Sequence, residues 1–191
     1  MSGLLILTLG LGLWVAAHLF KRVAPAQRAT LTQTMGEGSK IIFTVLIVVS
    51  IVLMVIGYRG AEDVWLWVSQ PWFGHLNNLA MLVALYVYGI GMARGVLSTK
   101  IRHPQLWGTT IWAFSHLLVN GTLAGVILFG GIGVWALAAM AVINAQDGGW
   151  VPKPAKGGWA RDGVAVVIVL VVYAIISAIH IWLGVNPFGV S

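Results

Sequence analysis

There is no cysteine in this chain, and only five of its 191 residues are acidic. The first absence excludes disulfides, cysteine-based zinc sites and thiolate ligation of iron. The second argues against carboxylate-rich metal sites, since Glu37, Glu62, Asp63, Asp147 and Asp162 all fall in expected loops. Charged residues make up 8% of the chain, against about 25% in an ordinary globular domain. What is abundant instead is apolar surface: 59% of residues are hydrophobic and the mean hydropathy is +0.93. No soluble core of this size hides that much. The expected fold class is all-α, a polytopic membrane helix bundle forming a single domain over residues 1–191 and lying in a lipid bilayer.

Six apolar runs carry this reading, at residues 3–20, 41–57, 75–93, 104–119, 122–143 and 163–183. Each approaches the roughly 20 residues needed to cross a hydrocarbon core, and the fourth is short. The first reads as a retained span, because Lys21 and Arg22 follow its apolar run instead of preceding it. The net charge of +6 is distributed by topology. Lys21, Arg22, Arg28 and Lys40 lie in segment 21–40; Arg94, Lys100 and Arg102 in 94–103; Lys153, Lys156 and Arg161 in 144–162. Ten of the eleven basic residues thus occupy alternate loops, leaving Arg59 opposite. Six spans with that bias place both termini outside and the basic loops in the cytoplasm, in a bacterial cytoplasmic membrane. The charge forms no stripe for nucleic acid, so no nucleic-acid partner is expected. The Gly/Pro/Lys stretch from Asp147 to Gly158 is the one flexible linker.

Histidine is the remaining chemistry. His18, His75, His103, His116 and His180 each fall near an end of an apolar run, and ionisable groups within membranes mark functional sites by default. His116 lies 12 residues after Pro104, about 18 Å along a helix and close to the Asn120-Gly121 turn. His180 comes one turn before Gly184, at the same depth, whereas His18 belongs to the other membrane face. In span six Tyr173, Ser177, His180 and Gly184 form one polar stripe among Val and Ile; in span four Trp112, His116 and Asn120 share a side with Gly108, Thr109 and Ala113. His75, Asn78, Tyr86 and Gly89 repeat the pattern in span three. For each histidine an interfacial anchor or an interhelical hydrogen bond is the competing structural role. Trp14, Trp72, Trp107, Trp150, Trp159 and Trp182 read as belt tryptophans. Imidazole suits heme iron, copper and non-heme iron. A heme wedged between helices is the leading cofactor, ligated by His116 with His180; His75, Trp112, Asn120, Tyr173 and Ser177 are further candidates to surround it.

The segment Arg102-His103-Pro104-Gln105-Leu106, then Trp112-Ala113-Phe114-Ser115-His116 through Asn120-Gly121, then Leu128-Phe129-Gly130-Gly131, closely resembles the NnrU family of integral membrane proteins. His18, Gly57-Tyr58-Arg59, His75-Leu76 and His180 before Gly184 extend the likeness over essentially the whole chain. The resemblance implies a protein associated with denitrification, acting by electron transfer or by assisting nitrite or nitric oxide reductase, with a redox or reductase-maturation partner. It also relates the chain to 15-cis-ζ-carotene isomerase, which uses heme b, so carotenoid isomerisation is the main alternative. In that enzyme histidines matching His18 and His116 are the proposed ligands, and a cysteine stands where this chain has Ala113.

Two other readings start from the same residues. Arg102-His103-Pro104 with Gly108 partly matches membrane methyltransferases that use S-adenosylmethionine, but their later acidic motif has no counterpart after Asp162. A purely structural subunit needs no site at all.

Overall fold

The computed structural model describes residues 2–189; Ser191, expected outside the membrane, lies outside the described residues. Seven helices account for most of them: α1 (Ser2–Val23), α2 (Pro25–Met35), α3 (Gly38–Arg59), α4 (Pro71–Ala93), α5 (Pro104–Val119), α6 (Leu123–Asp147) and α7 (Gly158–Trp182). Proline opens α2, α4 and α5, where its missing N–H would have had no partner in any case. Gly148 ends α6 at a φ of 62°, a conformation costly for other residues. The described residues hold no strand beyond one bridge between Trp65 and Thr122, which ties the α3–α4 loop to the turn before α6.

Five helices are long and apolar enough to cross a membrane: α1, α3, α4, α6 and α7. The fourth expected span, α5, has 16 residues and rises about 24 Å, short of the roughly 30 Å hydrocarbon thickness. It sits inside the bundle, against α4 on one side and α6 on the other, with Gly108, Thr110, Ala113 and Ser115 buried. Helix α2 falls within a segment read as loop; it is polar, and none of its residues is buried.

Lipid tails are as apolar as leucine, so close packing rather than water exclusion holds such helices together. Glycine makes the closest approaches. A Cβ at Gly57 of α3 would overlap the backbone of Leu7 on α1, and one at Gly108 of α5 would lie 2.7 Å from the Ala84 carbonyl oxygen on α4. Leu7, Met54, Ile132, Trp135 and Ala136 build the core between α1, α3 and α6. Ile41, Val45, Val48, Val52 and Val55 of α3, with Val164, Val167, Leu170 and Val171 of α7, face outward.

One end of the bundle carries the basic loops. Arg22 pairs bidentately with Asp147 at 2.6 and 3.0 Å, joining the ends of α1 and α6. The Lys156 N–H donates to the Arg94 carbonyl and Arg161 Nη1 to that of Ala93, joining the start of α7 to the end of α4. Two acids depart from the loop positions expected of them. Asp147 is the last residue of α6, and Asp162 lies in the second turn of α7, 3% exposed. Helix α7 begins five residues before the apolar run suggests, and the Asp162 carboxylate accepts hydrogen bonds from the N–H groups of Val96 and Leu97 at 2.7 and 3.4 Å.

Candidate functional site

Helices α4, α5 and α7, closed by Tyr58 of α3 and Phe129 of α6, enclose a cavity of about 640 Å³ at the end away from the basic loops. Its α5 wall is the small-and-polar face of that helix: Gly108, Thr109, Trp112, His116 and Asn120. Its α7 wall is Tyr173, Ile176, Ser177 and His180, one stripe at helical spacing. The chain after α7 turns back over the mouth, where Asn78 Nδ2 donates to the Pro187 carbonyl at 2.8 Å and Phe188 meets Tyr173 with 6.3 Å between ring centroids.

The cavity therefore brings together His116, His180, Tyr173, Ser177, Asn120 and Trp112. It does not take in His18 or His75. His18 lies between Trp14 and Trp135, at centroid distances of 4.0 and 4.9 Å, toward the end that carries the Arg22–Asp147 pair. His75 is exposed on the first turn of α4. His103 is engaged through Nε2 with Asn144 Oδ1 at 2.8 Å, at the basic end. Of the stripe read on span three only Asn78 faces the cavity. The lining face of α4 runs through Gly74, Asn77, Asn78, Met81, Ala84, Leu85 and Tyr88, so His75, Tyr86 and Gly89 fall on a neighbouring side.

The ring nitrogens of the two cavity histidines are not equivalent. His116 Nδ1 lies 2.9 Å from the Trp112 carbonyl oxygen, and His180 Nδ1 lies 2.8 Å from that of Ile176. A carbonyl only accepts, so each Nδ1 carries the proton and each neutral ring keeps its lone pair on Nε2. A backbone carbonyl holding the Nδ1 proton is one of the outer partners found for metal-bound histidines, beside carboxylates and water. His18 has the same arrangement with the Trp14 carbonyl at 2.9 Å, but away from the cavity.

Residues both near and distant in sequence fix His116. Phe129 stacks on it at 4.9 Å and 30°, and Trp112 packs at 5.0 Å. Phe129 reaches this position from a π-helical turn over Val126–Gly130, whose extra residue shifts the faces of α6. Asn120 Nδ2 donates to the His116 carbonyl at 2.8 Å, and the Tyr58 hydroxyl donates to Asn120 Oδ1 at 3.3 Å. Neither Tyr58 nor Phe129 stands out in the sequence as a site residue, because no local periodicity links them to His116.

Among the described residues no Lys, Arg, Asp or Glu lines the cavity. Among the described residues no three His, Cys, Asp or Glu side chains gather as a metal-binding group. Two imidazoles alone suit a metal that brings most of its donors with it. The profile of the family described as NnrU protein matches residues 6–187, nearly the whole chain. The chain belongs to the NnrU family. All five histidines and every helix of the cavity fall within the NnrU match. No curated protein and no solved structure is detectably similar to the chain.

Proposed function

We propose that this NnrU-family protein binds heme b through His116 and His180 and serves nitrogen-oxide respiration, by electron transfer or by assisting nitrite or nitric oxide reductase. The observation that carries the reading is the pair of histidines lining one cavity from two helices, each with Nδ1–H given to a backbone carbonyl and Nε2 left as a ligand. The residues fit the group: a porphyrin supplies four equatorial nitrogens and asks the protein for axial ligands alone. Trp112 and Phe129 offer apolar ring surface, and the wall offers neutral amides from Asn78, Asn120 and Asn186 to acidic groups. When bound, heme b supplies reversible one-electron transfer. Ala113, where the isomerase of the resemblance carries a cysteine, is fully buried against Gly133 and lies off the cavity wall, and its methyl group can ligate nothing.

The purified protein is expected to show a six-coordinate, low-spin spectrum both oxidised and reduced. It is expected not to convert 15-cis-ζ-carotene when reduced and heme-loaded. Absence of any heme spectrum after expression with ample heme would remove the proposal, and isomerisation dependent on iron reduction would replace it with the isomerase reading.

The same proposal places α5 as a short fourth crossing, with both termini outside a bacterial cytoplasmic membrane and the basic loops inside. Reporter fusions near Gln27, Thr99 and Lys156 are then expected to read as cytoplasmic and one after Phe188 as external. A cytoplasmic reading after Phe188 would overturn this topology.

A further inference from the structure

A second hollow, open to the outside, lies where α4 and α5 meet the loop that connects them. Its volume is about 400 Å³, within the range of ligand pockets, and it shares no lining residue with the histidine cavity. Lys100, Ile101 and Arg102 of the loop form its rim, with Trp107 and Ile111 of α5 and Val87 of α4 below. Depth follows from helix rise. Trp107 is three residues and Ile111 seven residues past Pro104, about 4.5 and 10 Å along α5, and Val87 lies about 9 Å before the end of α4 at Ala93. Two cations therefore stand at the helix ends, an indole that is 45% exposed comes one turn deeper, and branched apolar side chains come deeper still.

Both cations are open to a partner. Lys100 is exposed and Arg102 half-buried, and among the described residues neither side chain has a hydrogen bond or an ion pair. The acid whose charge reaches Arg102 is Asp147, and that carboxylate is already held bidentately by Arg22. No acid lines the hollow among the described residues. A guanidinium fork beside an ammonium suits a phosphate, and basic pockets between membrane helices are places where lipid headgroups bind. The indole sits at the level of the ester groups, where tryptophan offers an apolar ring and an N–H donor together. Ile111 and Val87 then lie where an acyl chain runs. A zwitterionic headgroup would bring an ammonium group that no acid here receives, so the headgroup is anionic.

We propose that this hollow binds an anionic phospholipid of the phosphatidylglycerol class, its phosphate held by Lys100 and Arg102 and one acyl chain laid along Trp107, Ile111 and Val87. The site requires neither heme nor a particular direction of insertion. Delipidated full-length protein in detergent is titrated with 1-palmitoyl-2-oleoyl phosphatidylglycerol or with the phosphatidylethanolamine of the same chains, and bound lipid is counted by native mass spectrometry. The first phosphatidylglycerol is expected to bind roughly five- to thirtyfold more tightly, about fivefold for each cation at a membrane surface. Lys100→Gln with Arg102→Gln should remove that preference. Lys153→Gln with Lys156→Gln, an equal loss of charge in the basic loops but outside the hollow, should keep it. Equal affinity of the two lipids for the wild-type protein overturns the proposal and needs no variant to fold. A preference that survives in the folded Lys100/Arg102 variant overturns it, and so does an equal fall in both pairs, which would mean a diffuse positive field. Competition by glycerophosphoglycerol, the headgroup without its chains, at the same concentration as the lipid would replace the lipid site with one for soluble phosphate esters.

Discussion

His116→Ala is expected to abolish heme retention while the protein still inserts and elutes as a single species. Removing only the outer partner of a metal ligand costs about 10–100-fold in metal affinity, so removing an axial ligand should cost more than that. Heme-to-protein ratios of purified variants measure it. His180→Ala should show a comparable loss, because its ring lines the same cavity with Nδ1 likewise held by a backbone carbonyl. His18→Ala should keep its heme, since that ring is packed between Trp14 and Trp135 away from the cavity. Added imidazole should restore part of the heme to His116→Ala, which a folding defect would not allow. Wild-type heme content in His116→Ala would end the assignment. Loss in His18→Ala with retention in His180→Ala would transfer the second ligand to His18, as the likeness to the isomerase implies.

Gly57→Val should be nearly as damaging by another route. The backbone of Leu7 lies against Gly57, so even a first carbon has no space, and no side-chain rotation can relieve a clash with main chain. Overpacking costs about 1–3 kcal/mol where side chains can yield and more where helices must separate. For a chain of this size that corresponds to a fall in Tm of roughly 10 °C or loss of the folded species. Gly12→Val is the control, because no atom of another described residue lies within 4 Å of its Cβ position. Equal thermal stability of the two variants in the same detergent would show that the α1–α3 seam is not held by close contact.

The helices that cross the bundle were legible because long Val/Ile/Leu runs are written into the sequence itself. Helix α2 was not, since Pro25–Met35 has no apolar face to betray it. The faces of α5 and α7 were also legible: His116 with Asn120, and Tyr173 with Ser177 and His180, stand out against apolar neighbours. The face of α4 was misread by about one residue. That helix places small and large apolar residues on every side, and a stripe through His75 and Tyr86 looks as good as the one through Asn77 and Tyr88. Tyr58 and Phe129 could not be found by spacing. One arrives through a contact spanning 62 positions and the other through a π turn that breaks the ordinary helical count.

The two walls that carry His116 and His180 are separated by α6 and the linker, and that separation has a cost during synthesis. Sixty-four positions divide the two histidines. At about 5–20 residues per second, α7 is made roughly 3–13 s after α5. Through that interval Asn77, Thr109, His116 and Asn120 border a half-built slot, with lipid or translocation machinery where α7 will stand. A ligand held by both histidines is therefore loaded only after the last helix has inserted, so the order of translation itself gates assembly of the site.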